Sequence, residues 1–220
     1  MTKESKKAMC SENRETQGLI EQDVQKKIQA LRSDIVRLES AALAFSGGVD
    51  SALLAYIAAQ ELGDKFIAVT LQSVLMKEID VSEATRFCDT YGIRHVLIDM
   101  DILADECFVT NDQDRCYHCK VAIFSAVREC AGQYNLSHVM DGTNIEDCPN
   151  RRPGMRVLRE QGIRSPLREN LFTKEDIRTA SKQIKLFTWD KVSDSCLATR
   201  VPQGQRITAD ELDRLRRFED

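Results

Sequence analysis

The chain has 220 residues, of which 42% are hydrophobic and 30% are charged, and these proportions are typical of a folded globular protein. Its formal net charge is -4, which argues against a nucleic-acid partner because nucleic-acid-binding surfaces are generally basic. No apolar run approaches the ~18 residues that span a bilayer, and the polar N-terminus lacks the apolar segment of a secretory signal. We therefore expect a cytoplasmic protein with reduced thiols and no membrane partner.

The first predicted elements are a tail, a helix, a buried strand and a second helix. Residues 1–22 are polar and aperiodic, which predicts a disordered tail. Apolar residues at spacings of three and four then predict an amphipathic helix, whose buried stripe comprises Val24, Ile28, Leu31, Ile35 and Leu38. The wholly apolar run 41–45 predicts a strand that is buried on both faces. Residues 52–62 are strong helix formers, and the helix that they predict ends at Gly63.

The alternation of strand and helix continues along the next 80 or so residues. Asp80 has the position of a helix N-cap and Gly92 that of a helix stop, and a further helix is predicted over 117–131. Three more apolar segments predict strands, over 66–71, 95–99 and 138–142. Repeated crossovers of this kind predict an α/β fold with a doubly wound parallel sheet.

The character of the chain changes after about residue 148. Arginine-rich loops appear, and Thr173 and Thr208 each begin a capping-box pattern that predicts a helix. The last of these helices reaches Asp220 without a C-cap, so we expect the C-terminal region to be truncated at its end. The predicted organisation is a tail, an α/β domain and a smaller region, over 1–22, 23–150 and 151–220.

The sequence SGGVDS at 46–51, here called the phosphate loop, lies between the first predicted strand and the following helix. Adjacent glycines can adopt positive φ and let a ligand approach the backbone, and the N–H groups at a helix N-terminus favour phosphate. The aspartate could hold Mg²⁺ or could only cap the helix. An ordinary strand-to-helix turn is the alternative, since the loop lacks the Walker pattern. The candidate phosphate-binding residues are Ser46, Gly47, Gly48, Asp50 and Ser51.

Cysteine is unusually frequent, with eight residues in the chain. Cys116 and Cys119 have the C-x-x-C spacing that lets both thiolates bind one metal ion or cluster. Arg115 and Lys120 flank the pair and are expected to favour the thiolate over the thiol. On spacing alone, the pair could be half of a zinc site, a redox disulfide or a packing element. No role is assigned to Cys10, Cys88, Cys107, Cys130 and Cys148, although Cys88 and Cys130 fit core positions.

Several motifs occur along the chain in the order of one known family. The phosphate loop resembles the PP-loop of the N-type ATP pyrophosphatases, which cleave ATP between the α and β phosphates. The segments RCYHCK at 115–120 and CLATR at 196–200 are more specific, and they resemble the LarE family of ATP-dependent sulfur transferases. The resemblance runs from about residue 23 to the C-terminus and includes the shorter motifs GTN (142–144), RPG (152–154), SPL (165–167), TK (173–174), IR (177–178) and WDK (189–191).

The resemblance implies a PP-loop ATP pyrophosphatase domain at 23–150 and chemistry in two steps. ATP with Mg²⁺ would adenylate a carboxylate of pyridinium-3,5-biscarboxylic acid mononucleotide, a small-molecule nucleotide substrate. A sulfur would then displace AMP to give a thiocarboxylate, a step in nickel-pincer nucleotide biosynthesis. Activation comes first because a carboxylate is a poor acyl donor, whereas AMP is a good leaving group.

The resemblance also implies roles for individual residues. In one branch of the family, cysteines at the positions of Cys116, Cys119 and Cys196 hold a 4Fe-4S cluster, which an upstream sulfide donor could supply with sulfur. In another branch the cysteine that matches Cys196 is the only one of the three, and it gives up its own sulfur. This chain has all three cysteines, so we expect it to belong to the cluster branch. Further nucleotide contacts would come from Ser73, Gly142, Thr143 and Asn144. The candidates for the substrate's phosphate or carboxylates are Arg152, Arg178 and Arg200, although a single arginine is more often a surface residue.

Relatives in this family form closed oligomers, so we expect a homo-oligomer. They also continue past this point with a strand that carries paired arginines, and nothing follows Asp220 here. Three other functions remain open for a chain with this loop. The first is a tRNA thiolase, although the acidic net charge argues against an RNA substrate. The second is an amide-forming synthetase, which would need no C-x-x-C pair. The third is a non-catalytic regulator that binds a nucleotide or a cluster.

Overall fold

A computed structural model of the chain describes residues 3–147, 154–192 and 195–219. Its centre is a parallel sheet of four strands in the order β3-β2-β1-β4. In the register of the sheet, Ala41 lies opposite Phe66 on one side and His138 on the other. The strands are β1 (Ala41–Ala44), β2 (Phe66–Gln72), β3 (His95–Asp99) and β4 (His138–Met140). The predicted α/β fold with a doubly wound parallel sheet is therefore confirmed.

Helices cover both faces of the sheet. They are α1 (Lys3–Leu38), α2 (Val49–Leu62), α3 (Glu78–Tyr91), α4 (Glu106–Val109), α5 (Arg115–Gln133), α6 (Met155–Glu160), α7 (Pro166–Glu169), α8 (Lys174–Gln183) and α9 (Ala209–Glu219). A short 3₁₀ helix at Leu197–Arg200 precedes α9. No helix in the described part of the chain has both the length and the apolarity needed to cross a membrane.

Strand β1 is wholly apolar and β2 is apolar except for Thr70 and Gln72, because each face of the sheet has its own hydrophobic core. Successive side chains of a strand point to opposite faces. Ala41 and Leu43 of β1 accordingly join a core with α1, α2 and α3, whereas Ala42 joins a core with α5. A third cluster, which includes Phe108, Leu197 and Leu212, packs α4 against the segment before α9. This third cluster brings the Cys196 segment next to α5.

Two expectations about helix starts differ from the structure. Helix α1 begins at Lys3, whereas the composition predicts a disordered tail up to residue 22. The segment is rich in Lys, Glu and Gln, which are good helix formers, and it continues directly into the amphipathic helix. Helix α3 begins at Glu78 with Lys77 as its N-cap, so the prediction that Asp80 caps this helix is wrong. The carboxylate of Asp80 instead pairs with Lys191, at 3.3 Å.

Other local predictions are confirmed. All five apolar residues of the predicted α1 stripe are buried, with Val24 and Leu31 fully enclosed. Gly63 and Gly92 are the C-caps of α2 and α3, each with positive φ. Thr173 forms a complete capping box with Asp176 at the start of α8.

The region after residue 150 shares a core with the helices before it. Leu167, Phe172 and Ile177 belong to the same buried cluster as α1 and α2. The residues at the predicted domain boundary, 148–153, lie outside the described ranges. The division into domains at 23–150 and 151–220 remains a prediction.

Candidate functional site

A cavity of about 850 Å³ opens at the carboxyl ends of the strands. The order of the strands reverses between β1 and β4, and ligands of open α/β sheets bind at such a switch point. The cavity begins at the phosphate loop and extends to the first turn of α5. At its far end it is lined by Cys116, Cys119 and Cys196.

The phosphate loop leaves the N-terminus of α2 open to a ligand. The N-cap of this helix is Gly48, and no side chain caps it. Gly47 has φ +69°, and a Cβ there would lie 3.2 Å from the Cβ of Ala84, so the backbone of the loop lies close against α3. The hydroxyls of Ser46 and Ser51 are 3.1 Å apart, and Ser51 also donates to the carbonyl of Gly48 at 3.0 Å. Uncapped N–H groups and two hydroxyls at a helix N-terminus are suited to bind phosphate.

Asp50 faces the cavity and does not cap α2. Its carboxylate accepts a hydrogen bond from the ammonium of Lys174 at 2.5 Å and from the side-chain amide of Asn144 at 3.5 Å. About a quarter of each side chain in the Asp50–Lys174 pair is exposed, so a ligand in the cavity can reach both. The sequence motif TK includes Lys174, but sequence reasoning assigned no role to this lysine. Its signal was its place at the first position of a capped helix.

The GTN segment after β4 packs directly on the phosphate loop. A Cβ on Gly142 would lie 3.0 Å from the backbone nitrogen of Ser51 and 3.2 Å from its Cα, so only glycine fits without a shift. Asn144 reaches Asp50, and Thr143 lines the cavity beside it. The structure therefore brings the predicted nucleotide-binding residues of β1 and β4 together at one edge of the sheet.

Asp141 is a buried carboxylate at this edge that sequence reasoning missed. It accepts hydrogen bonds from the amide and hydroxyl of Thr143, at 3.2 and 2.5 Å, and from the hydroxyl of Ser165 at 2.7 Å. The ammonium of Lys120 lies 3.8 Å away. Asp141 thus connects the nucleotide end of the cavity to the helix that carries the cysteine pair. Its position directly after a buried strand was the only signal in the sequence.

The three candidate cysteines lie on two elements that meet across the cavity. Cys116 and Cys119 are in the first two turns of α5, and Cys196 is the N-cap of the 3₁₀ helix Leu197–Arg200. Burial, together with the smaller effect of negative charge on Cys196 and Cys116, raises the pKa of Cys119 to about 12, against the opposing effect of Arg115 and Lys120. Burial also raises the pKa of Cys196, against the Ala198 amide and Arg115. The three sulfurs are therefore near enough to affect one another.

The expectation that the flanking cations favour the thiolate is not met at Cys119. Arg115 and Lys120 do act in that direction, but burial and the neighbouring sulfurs outweigh them. Without a bound cation, the Cys119 thiol is protonated near neutral pH, because its raised pKa is about 12. Across residues 3–147, 154–192 and 195–219, no three His, Cys, Asp or Glu side chains are placed to hold a single metal ion.

The predicted substrate arginines lie in different surroundings. Arg178 donates to the backbone carbonyls of Trp189 and Lys191, at 2.9 Å each, and is outside the lining of the cavity. Arg200 contacts the hydroxyls of Ser195 and Thr199, next to Cys196. Arg152 lies outside the described residues. Among the side chains that line the cavity, the cations include Lys77, Arg115, Lys120, Lys174 and Lys191.

The remaining predicted residues are placed as follows. Ser73 lines the cavity after β2, and its hydroxyl accepts from the amide of Leu75 at 3.3 Å. Cys88 and Cys130 are buried, as expected for small core residues, and Cys107 is exposed. Cys148 lies outside the described residues, and so does the side chain of Cys10.

Comparison with known proteins identifies the family. The family model described as NAD synthase matches residues 20–134, which is just over half of the chain. The chain belongs to the NAD synthase family. The matched part of this NAD synthase family member includes strands β1 to β3, the phosphate loop and the helix that carries the C-x-x-C pair.

Two relatives of this family member have similar sequences. The chain is 34% identical over 196 residues to the uncharacterized protein slr1717 of Synechocystis sp., covering 89% of the chain and 73% of that protein. It is 31% identical over 176 residues to the pyridinium-3,5-bisthiocarboxylic acid mononucleotide synthase of Lactiplantibacillus plantarum, covering 80% of the chain and 64% of that protein. The chain thus spans just under three quarters of the first relative's length and just under two thirds of the second's.

A solved structure shows the same fold. The NH3-dependent NAD synthetase from Campylobacter jejuni, in complex with the nitrate ion, superimposes with a TM-score of 0.54 at 15% identity. The superposition covers 82% of this chain and 80% of that one. At this identity the likeness concerns the fold alone.

Proposed function

We propose that this chain is an ATP-dependent sulfur transferase of the LarE family. In this proposal it adenylates a carboxylate of pyridinium-3,5-biscarboxylic acid mononucleotide and converts it to a thiocarboxylate. One observation carries the proposal: the phosphate loop and the three cysteines line one continuous cavity. A carboxylate that is activated at one end can then meet sulfur at the other without leaving the protein. The 31% identical synthase from Lactiplantibacillus plantarum, named for a bisthiocarboxylic acid mononucleotide, supports the same reading.

The phosphate loop would bind the triphosphate of ATP. The N–H groups of Gly47, Gly48 and the start of α2 would face the β and γ phosphates, and Ser46 and Ser51 would add hydroxyl donors; the Gly48 N–H would exchange its 3.4 Å bond to the Ser46 hydroxyl for one to phosphate. The adenosine would lie beside Ser73, and the GTN segment 142–144 would contact AMP. The substrate carboxylate then attacks the α phosphorus, the bond to the bridging oxygen breaks, and pyrophosphate leaves. The product is an acyl adenylate.

Asp50 and Lys174 would change partners when ATP binds. In the structure the carboxylate and the ammonium neutralise each other at 2.5 Å. A triphosphate brings several negative charges and competes for Lys174, which leaves the carboxylate of Asp50 available for Mg²⁺. An oxygen ligand beside bound phosphates is the environment in which proteins hold this ion. The donor set of the site therefore fits Mg²⁺ together with nucleotide.

The cysteine end would deliver the sulfur. A sulfur nucleophile attacks the acyl carbon, the carbon–oxygen bond to phosphate breaks, and AMP leaves with the electron pair. Cys116, Cys119 and Cys196 line this end of the cavity, and cysteine thiolates are the ligands that a 4Fe-4S cluster takes, so these three residues would hold it. When bound, the cluster would supply sulfide-level sulfur for the transfer, and an upstream sulfide donor would replenish it.

The arginines would have different roles. Arg200, four residues after Cys196, would bind the substrate's phosphate or carboxylates from the cysteine end. Arg178 donates to two carbonyls of the segment that follows α8, those of Trp189 and Lys191, so we assign it to the support of that segment. Arg152, which lies outside the described residues, would also contact substrate. The family likeness also suggests a homo-oligomer as the working form.

The test is a pyrophosphate-release assay under anaerobic conditions. We expect release only when both ATP and the biscarboxylate nucleotide are present, together with a thiocarboxylate product detected by mass spectrometry. Release that depends on tRNA would instead indicate a tRNA thiolase, and an amide formed from ammonia would indicate a synthetase. ATP binding without release under any condition would indicate a regulator.

Two variants separate the sulfur step from adenylation. Cys196→Ser is expected to retain pyrophosphate release and to lose the thiocarboxylate product. Cys107→Ser is the matched control, because Cys107 is exposed and outside the cavity. Iron and acid-labile sulfide in the anaerobic protein support the cluster. Protein without iron, together with a loss of H₂S mass from Cys196 after turnover, would show sacrificial transfer instead.

A further inference from the structure

Arg115 joins the two elements that carry the cysteines. It begins α5, and one of its guanidinium nitrogens donates both to the side-chain carbonyl of Asn111 at 2.6 Å and to the backbone carbonyl of Ala198 at 2.8 Å. The other lies 3.6 Å from the sulfur of Cys116. A single planar group therefore touches the C-x-x-C pair and the backbone two residues after Cys196.

Asn111 supports this arginine from a fully buried position. Its backbone has φ +55°, a left-handed conformation that asparagine tolerates better than most residues. The side-chain NH₂ of Asn111 donates to the backbone carbonyls of Pro202 at 2.8 Å and Gln205 at 2.9 Å. The backbone carbonyl of Asn111 accepts a hydrogen bond from the backbone N–H of Gly204 at 2.8 Å. A buried amide with all its bonds made holds its neighbours in one arrangement, because each lost bond would leave a polar group unpaired. The loop at 202–205 is thereby tied to the residue that precedes α5 by one turn.

Hydrophobic packing brings the segments together but leaves their orientation open. Leu197 and Ala198 are buried against Phe108, and Cys119 packs on the edge of the same cluster. Apolar contacts are not directional, so packing alone does not decide which way the backbone at 196–198 faces. The hydrogen bond from Arg115 to the Ala198 carbonyl sets this orientation, because it holds one carbonyl of the turn that begins at Cys196 toward α5.

We infer that Arg115 is a positioning residue that sets the distance between the Cys196 thiol and the cysteine pair, with Asn111 as its support. The consequence for sulfur delivery rests on the proposed function, whereas the juxtaposition of the thiols can be measured without it. The guanidinium is suited to the task because its planar fork reaches a carbonyl, an amide oxygen and a sulfur at once. A lysine at this position has the charge but cannot make all three contacts.

The test is a cross-linking measurement on the full chain, reduced and treated with a chelator. Dibromobimane joins only thiols that lie close together, and peptide mass spectrometry gives the yield of links from Cys196 to Cys116 or Cys119. In Arg115→Ala this yield is expected to fall by about tenfold, as for the loss of a charge-assisted hydrogen bond. Millimolar N-ethylguanidinium is expected to restore it. Arg115→Lys is expected to give an intermediate yield.

The matched control is Arg128→Ala, since Arg128 also lies on α5 and donates to a backbone carbonyl, that of Gln161, outside the cavity. A wild-type yield in Arg115→Ala would overturn the inference. A lower yield that N-ethylguanidinium does not restore, with a lower melting temperature, would show a general packing role and overturn it too. If Arg115→Ala does not fold, Arg115→Lys decides, because an unchanged yield there refutes the positioning role. The cross-linking measurement needs neither ATP nor substrate, so it tests the positioning role separately from the proposed function. If the wild-type protein transferred no sulfur in the activity assay, that result would refute only the proposed function.

Discussion

The exchange of partners by Lys174 can be tested by Lys174→Gln. This change removes the charge that faces Asp50 at 2.5 Å and that would face the triphosphate once ATP is bound. A hydrogen bond to a charged group contributes roughly 1.5–3 kcal/mol. Because the wild-type lysine must first leave Asp50, we take the lower end of that range. The expected loss is then roughly tenfold in the affinity for ATP with Mg²⁺.

The assay is isothermal titration calorimetry of ATP, with and without Mg²⁺. Lys182→Gln is the control, since Lys182 lies on the same helix but over the ring of Trp189. It is expected to change the affinity by less than about twofold, as surface substitutions do. Asp50→Asn is expected to change the affinity for ATP in opposite directions with and without Mg²⁺. Without Mg²⁺ it should bind ATP at least as well as the wild type, because it removes a carboxylate from the phosphate site, and with Mg²⁺ it should bind more weakly.

Wild-type affinity in Lys174→Gln would refute this reasoning. It would mean that the lysine stays with Asp50 when ATP binds, and that the pair has a structural role. Equal losses in Asp50→Asn with and without Mg²⁺ would argue in the same direction, because a metal-binding carboxylate must show a metal dependence.

Three further predictions concern the packing around the site. Gly142→Ala places a methyl group 3.0 Å from a backbone nitrogen of the phosphate loop, so thermal melting should show a loss of about 1–3 kcal/mol and calorimetry a weaker binding of ATP. Although burial works to raise the pKa of Asp176, its bonds from Lys27 and the α8 N-terminus lower it below the ordinary 3.8. The ionised Asp176 carboxylate therefore stabilises the fold above pH 3.8, and this stabilisation is lost as the pH falls through the lowered pKa. Urea unfolding of Asp176→Asn should show a free energy of unfolding that is about 1–2 kcal/mol lower than that of the wild type at pH 7, and the difference should shrink in acid. Leu31→Ala should destabilise by about 2–5 kcal/mol because this residue is fully buried, whereas Val36→Ala, half exposed on the same helix, should cost far less; equal costs would contradict the packing of α1.

The parts of the site that a sequence can predict are those that local chemistry specifies. Gly47 and Gly48 after an apolar run predict a strand, a turn and a helix, because no other residue type adopts the turn so easily. The spacing of Cys116 and Cys119 predicts a pair of neighbouring thiols for a similar reason. These features need only a few consecutive residues, and the structure has each of them where the pattern indicates.

The sequence could not predict which partner each functional group meets. Asp50 and Lys174 are separated by more than a hundred residues, and the capping box beside Lys174 says only that a helix begins there. Arg178 has the type of side chain that binds an anionic substrate, yet its guanidinium N–H groups donate to two backbone carbonyls of a nearby loop. Side chains of the same type thus differ in role because the fold gives them different neighbours.

The alternation of strands and helices, the phosphate loop and the C-x-x-C pair can be predicted from the sequence alone, because periodicity, glycine and short spacings act over a few residues. The tertiary structure brings the loop and the third cysteine into one cavity, and this depends on the parallel order of the sheet and on the cluster that packs Leu197 beside α5. It also decided the protonation of Cys119, where burial outweighs the flanking cations. Solvation depends on everything packed around a group, and a linear pattern of charges does not contain that information.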